Sequence, residues 1–257
     1  MIRAAVAVAS AVLVLFIAVP LVALYAHVAP SRLGATLASA PALAALRISL
    51  VTTAASLALT LALGTPLAYA LARSRFPGRG FVDALVDLPI VVPPAVAGVA
   101  LLFAFGTFGL FGPAFAALHV RVAFTTFAVV LAQLFVGAPF YVRAARAGFA
   151  SVDRVYEEAS ATLGMGPLRT FARVTVPLAL PALAGGAVLA WARALGEFGA
   201  TIMFAGNLQG VTQTLPLAVY LGLESGDLDL AAALAVVLVT VALAVVVAAR
   251  ALERHAA

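Results

Sequence analysis

Apolar residues fill this chain in long runs, and polar ones gather in the short gaps between them. A helix that crosses the hydrocarbon of a bilayer needs about 20 consecutive apolar residues. Six stretches reach that length, over residues 5–26, 48–71, 84–106, 122–142, 181–204 and 230–249. The first follows Arg3 and can be read as a signal peptide, but its apolar part exceeds the roughly 7–15 residues of a signal core, which favours an anchor. Alanine-rich tracts lie inside the runs, and small residues there let membrane helices pack closely.

Between the fourth and fifth runs the pattern changes to helical spacing. Val152, Val155, Tyr156, Ala159 and Leu163 fall on one side, with Asp153, Glu157, Glu158, Ser160 and Thr162 largely on the other. Ser151 is placed to cap this helix and Gly164 to end it. Gly166-Pro167 starts a second one, with Pro167 at its first position. Leu168, Phe171, Ala172 and Thr175 form its inner stripe, and Pro177 stops it. The pattern predicts two short helices joined by a tight turn beneath the membrane. Such a hairpin either merely joins two spans or docks on a partner.

Composition agrees with the runs. The chain is 65% hydrophobic and 10% charged, whereas a soluble domain carries about 25% charged residues and needs them to cover its core. The predicted fold is an all-α integral membrane protein of six transmembrane helices, one domain over residues 1–257, with the hairpin between spans four and five. Cysteine is absent, and His27, His119 and His255 are far apart, so no metal site is expected. All 15 basic residues are arginine. Without lysine there is no phosphate-binding loop of the nucleotide-hydrolysing kind, so energy must come from a separate subunit or an ion gradient. The chain is expected to bind no cofactor and no nucleic acid.

The arginines also set a direction. Arg3, Arg73, Arg75, Arg79, Arg143, Arg146, Arg154, Arg169, Arg173, Arg250 and Arg254 share one side, and Arg32, Arg47 and Arg121 the other, a ratio of 11 to 3. Positive charge concentrates inside, so the hairpin and both termini are predicted to be cytoplasmic.

Several residues within the spans carry candidate chemistry. Arg193 and Glu197 are four apart and share a helix face, as an internal salt bridge or as part of a pathway or gate. Pro93 and Pro94 interrupt span three, as a structural kink or a pathway wall. Gly196, Gly199 and Gly206 permit a bend or a close approach. Thr201, Asn207, Thr212, Gln213 and Thr214 offer neutral hydrogen-bonding groups that could pass an anion without trapping it, or meet a binding protein. Glu224, Asp227 and Asp229 make the last outer loop acidic.

The hairpin resembles the cytoplasmic loop motif of ABC-importer permeases, E-A-A-x3-G-x9-I-x-L-P. Glu158, Ala159 and Ser160 are followed after three residues by Gly164, and nine residues later by Val174, Thr175, Val176 and Pro177. Ser replaces one alanine, and Val replaces Ile and Leu. The resemblance implies a coupling helix that sits in a groove of an ATP-hydrolysing subunit, with Glu157, Glu158, Ala159, Ser160, Gly164, Gly166 and Pro167 as docking residues. "RALGEFGATIMFAGN" from Arg193, "TQTLPLAVY" from Thr212 and "DLPIVVPPAVAGVALL" from Asp87 closely resemble molybdate-type permeases, within an oxyanion group that includes sulfate and thiosulfate permeases. The likeness covers nearly the whole chain from about residue 45. It implies a second permease copy, two ATPase subunits that use ATP and Mg, an external oxyanion-binding protein, and a bacterial or archaeal cytoplasmic membrane. Arg193, Glu197, Gly199, Thr201, Asn207, Thr212, Thr214, Pro93 and Pro94 would then belong to the pathway or its gate. A sulfate permease, an ion-driven secondary transporter and a membrane scaffold are the alternatives.

Overall fold

The computed structural model describes the backbone of residues 2–256 and the side chains of residues 2–248. Arg250, Arg254 and His255, which the sequence reading used, therefore lie outside the described residues as far as side chains are concerned. Among the described residues every regular element is helical. Helix α1 (Ile2–His27) is apolar between Arg3 and His27 apart from Ser10 and the Tyr25 hydroxyl, and buries none of its residues within this chain. It leans on the last helix, where Tyr25 Oη and Thr240 Oγ1 are 2.7 Å apart. Helix α2 (Pro30–Ala38) leads into α3 (Ala40–Arg73), whose 34 residues, at about 1.5 Å each, outreach the hydrocarbon thickness. Ser39 caps α3 by accepting from the Ala42 N–H.

The third apolar run departs from the sequence expectation of one interrupted span. It forms two helices, α4 (Arg79–Val91) and α5 (Pro94–Phe105), bent by 119°. Proline disfavours the helical region for the residue before it. Val92 (φ −68°, ψ 129°) and Pro93 (φ −55°, ψ 135°) each precede a proline and are both extended, which turns the chain. After α6 (Gly112–Ala117), α7 (Thr126–Ser151) runs through the middle of the molecule, capped by Thr125.

Helix α8 (Arg154–Thr162) follows at once, and Asp153, not Ser151, caps it; Ser151 is the last residue of α7. The second limb differs from expectation too. Helix α9 (Pro167–Thr170) passes through a π-turn (Phe171–Thr175) into α10 (Val176–Leu195), so Pro177 does not stop it. The reason is local. The Val176 N–H bonds the Phe171 carbonyl five residues back, and this widened turn carries the chain past the proline, which has no N–H to give. The fifth run also ends its helix early, at Leu195. A short α11 (Gly199–Ala205) follows, then α12 (Leu215–Glu224) and α13 (Leu228–Ala256).

The core lies where α3, α7 and α10 meet, around Ala68, Leu71, Tyr141, Ala145, Phe149, Ala179, Leu183 and Ala190. Small residues set the helix spacing there. A Cβ on Gly148 would lie 2.5 Å from that of Ala182, and one on Gly186 would lie 2.7 Å from that of Ala144. Gly137 faces the Ala190 carbonyl in the same antiparallel register. In a bilayer this close packing replaces the hydrophobic effect as the force between helices.

Replacing Gly186 by Leu is expected to force α7 and α10 apart and to cost about 3 kcal/mol or more, the upper range for overpacking. Gly34→Ala, mid-helix in α2 with nothing within 4 Å, is the control and is expected to hold or raise stability by up to about 1 kcal/mol. Thermal unfolding of the detergent-solubilised protein measures both.

Candidate functional site

Two polar regions interrupt the apolar bundle. The first is the hairpin of α8 and α9. Its limbs are tied by Ser160 and Thr170, whose buried hydroxyls are 2.8 Å apart. Glu157 turns inward: its Oε1 accepts from Thr175 Oγ1 at 2.8 Å and lies 3.4 Å from Arg73 Nη2. The same Nη2 donates to the Val152 carbonyl at 2.6 Å. The apolar stripe of α8 therefore faces outward. Val155, Tyr156, Leu163 and Leu168 are exposed, the last two by 81%, while Ser160, Thr170 and Thr175 are buried. Of the predicted inner stripe on the second limb, Thr175 and the half-buried Phe171 pack inward, while Leu168 and Ala172 are exposed. Hydrogen bonds hold the hairpin to the bundle, and its apolar residues are left outward with Glu158 and Ala159.

Gly164 closes the tip at φ +80°, a conformation that suits glycine, with nothing within 4 Å of a Cβ built there. Gly166 caps α9 in an extended conformation, and Pro167 takes its first turn.

The second region joins the two broken spans. Glu197 sits in the gap between α10 and α11 and is 1% exposed. Its Oε2 is 2.7 Å from Arg193 Nη1, and its Oε1 accepts from the Ala200 N–H at 2.8 Å, so it caps α11 as well as pairing. Phe198 packs on Tyr220 with ring centroids 5.0 Å apart. The other break, at Pro93-Pro94, lies against this one. A Cβ on Gly199 would be 2.8 Å from that of Pro94, and one on Gly98 would be 2.6 Å from the Ala200 carbonyl. Two glycines thus let α5 and α11 meet at backbone distance, bringing Pro94, Glu197, Gly199 and Thr201 into one layer. Arg193 is 29% exposed and reaches the edge of that layer.

The neutral polar residues divide. Asn207 accepts from Gln213 Nε2 at 3.0 Å and donates to the Leu217 carbonyl, and Thr212 accepts from the Leu208 N–H at 2.9 Å. Those three hold the loop between α11 and α12 together. Thr201 and Thr214 are buried with hydroxyls that meet no partner among the described residues. The acidic outer residues are taken locally: Glu224 accepts from Tyr220, Asp227 caps α13 and Asp229 pairs with Arg32 at 2.9 Å.

Sequence reasoning missed three groups. Ser49, Thr52, Thr53, Ser56 and Thr60 form a buried hydroxyl stripe on α3, legible in their three-and-four spacing, and Ser49 Oγ accepts from the Leu215 N–H. Gln133 of α7 is buried with Oε1 unpartnered among the described residues. Arg73 had been read only as a topology charge.

Residues 61–257 match the family described as binding-protein-dependent transport system inner membrane component. The chain is 46% identical over 233 residues to the molybdenum transport system permease protein ModB of Mycobacterium tuberculosis, covering 91% of this chain and 88% of that one. It is 37% identical over 195 residues to the molybdate/tungstate transport system permease protein WtpB of Pyrococcus abyssi, covering 75% and 73%. Against the sulfate transport system permease protein CysT of Escherichia coli the identity is 38% over 175 residues, covering 68% and 63%. Among solved structures, a bacterial ABC transporter that imports the acidic polysaccharide alginate aligns with a TM-score of 0.76 at 18% identity, covering 96% of this chain and 92% of that one. The MetNI methionine ABC transporter aligns with a TM-score of 0.60 at 18% identity, covering 84% and 94%. At that identity the structures establish a shared fold.

Glu197→Ala removes both the helix cap and the ion partner, stranding Arg193, and is expected to cost about 3–5 kcal/mol, as for breaking a buried pair. The double variant Arg193→Met with Glu197→Gln keeps a capping oxygen and strands no charge, so it is expected to be more stable than Glu197→Ala. Melting of the solubilised protein compares the two.

Proposed function

Since the chain belongs to the family of inner membrane components of binding-protein-dependent transport systems, we infer that it is the permease subunit of an ATP-driven importer whose cargo is molybdate or tungstate. The observation that carries the cargo is 46% identity across 91% of the chain to a molybdenum permease, against 38% across 68% to a sulfate permease. The chain is a transport component; ATP hydrolysis belongs to a partner subunit, which uses the Mg.

Two copies of the chain would enclose the pathway, two ATPase subunits would sit under the hairpins, and an external binding protein would deliver the oxyanion. The arginine distribution supports a cytoplasmic hairpin and cytoplasmic termini. The hairpin's outward face supports its reading as the coupling helix. Val155, Tyr156, Leu163 and Leu168 stand exposed beside Glu158, Ala159 and the Gly164 tip, as a surface that a groove of another protein would cover. When ATP draws the two ATPases together, the hairpins follow, and the bundle changes the side to which its pathway opens.

The layer of broken spans is the gate in this reading. The Arg193–Glu197 pair is neutral as a unit, so the acid does not repel a passing anion. Thr201 and Thr214 offer hydroxyls that can exchange with an oxyanion's waters and bind it weakly, as conduction requires. Pro93, Pro94 and Gly199 hold the two breaks together, and Asn207 and Thr212 shape the loop above them.

The test is uptake into vesicles holding the permease, its ATPase and its binding protein. Molybdate and tungstate should enter only with ATP, and each should compete with the other more strongly than sulfate does. Sulfate uptake at equal efficiency would transfer the chain to the sulfate group, and uptake driven by an ion gradient without the ATPase would reject the importer. Gly164→Asp tests the hairpin. Its side chain enters space that is open in this chain, at a modest backbone cost because Asp tolerates positive φ. Membrane insertion should persist, with molybdate uptake falling at least about tenfold while ATP is still hydrolysed, since a 1.4 kcal/mol penalty at the interface already gives a factor of 10.

A further inference from the structure

We propose that Arg73 is a positioning residue that locks the hairpin to two membrane spans, so that motion of the hairpin becomes motion of the spans. This rests on the reading of the hairpin as the ATPase-docking element and adds how its movement is passed on.

The hairpin has two covalent connections to the bundle, and each departs from regular α-helix. Residues 152–153 join it to α7 in extended conformation, and the π-turn joins it to α10. A push on α8 could be lost by bending at those points. Arg73 stands between them. It is the last residue of α3, its side chain is 10% exposed, and its Nη2 holds the Val152 carbonyl at 2.6 Å while lying 3.4 Å from Glu157 Oε1. The same Oε1 accepts from Thr175 Oγ1 in the π-turn. One guanidinium therefore gathers the end of α3, the end of α7, the docking helix α8 and, through Glu157, the start of α10.

A second layer lies beside it. Tyr69 of α3, Phe149 of α7 and Phe171 of the π-turn pack as a trio, with ring centroids 4.8 to 5.9 Å apart. Edge contacts of this kind resist separation but allow sliding, whereas the charged hydrogen bonds fix direction. With both layers present, displacing α8 must displace α3 and α10. Without the guanidinium, Glu157 keeps only the Thr175 hydroxyl, and α8 can rock beneath α3 while the outward docking face stays unchanged.

The experiment uses the complete transporter in vesicles, with molybdate as probe, and reads ATP hydrolysed per anion imported. In Arg73→Met the ATPase should still co-purify with the permease. The ratio of ATP to anion should rise about tenfold, the effect of losing one charged hydrogen-bonded contact of about 1.4 kcal/mol. Arg73→Lys should fall between the two, because the ammonium keeps the charge but ends one atom short of the Nη2 that makes both contacts. Thr175→Val, which keeps the shape and removes the α10 arm, should also raise the ratio about tenfold, the loss of a hydrogen bond to a carboxylate. If Arg73→Met is not recovered from membranes, Thr175→Val decides alone. A wild-type ratio in either variant overturns the proposal while leaving the docking role intact. ATP-independent uptake by the unmodified transporter overturns the docking role and this proposal together.

Discussion

Hydrocarbon offers no partner to a free backbone N–H or C=O, and the architecture of this chain follows from that constraint. A membrane protein made only of straight helices meets it trivially. This one breaks its helices at Val92-Pro93 and at residues 196–198, and widens one at 171–175. The deep breaks are covered differently from the widened turn. The two gaps in spans three and five lie on each other, with Gly98 and Gly199 removing the side chains that would hold the backbones apart. Glu197 supplies the carboxylate that one of the exposed N–H groups requires. The widened turn sits by the hairpin, where Thr175, Glu157 and Arg73 form a polar cluster around it.

The charges obey the same logic. An intramembrane acid is costly unless paired, and Glu197 has a partner four residues earlier on its own chain. At the hairpin end, Arg143 and Arg146 on α7 pair with Asp87 and Asp83 on α4, fastening the first half of the broken span to the central helix. Arg73 is the third such fastening. These pairs sit where an element lacks the long apolar face that would otherwise hold it.

In the proposed importer the distance between the two polar regions matters. The α7–α10 crossing runs from the hairpin toward the break after Leu195 and is tightened along its length by Gly148, Gly186 and Gly137. Packed helices of this kind move as bodies. A displacement entering at the hairpin meets a stiff path toward the layer where the pathway would be controlled.

How much of this was open to a reader of the sequence depended on the range of the physics. Apolar length and low charge fix membrane insertion locally, and the arginine-free or arginine-rich character of each gap is a local count. The hairpin's existence was equally local, since glycine and proline act on their own turns. Which way the hairpin faces was not. Its apolar stripe would point inward in any isolated amphipathic reading, yet Leu163 and Leu168 point out, because Arg73, from 84 residues before Glu157, captures the polar side instead. Pro177 failed to stop its helix because a π-turn depends on what packs around Phe171. Pro93-Pro94 announced the interruption that becomes the 119° bend, but its contact with Gly199, which pairs it with a second break, lay outside any local pattern. The sequence by itself determined what must be hidden from lipid and where the chain can bend. The tertiary structure decided which polar groups meet, because those partners lie tens of residues apart and no local pattern encodes their contact.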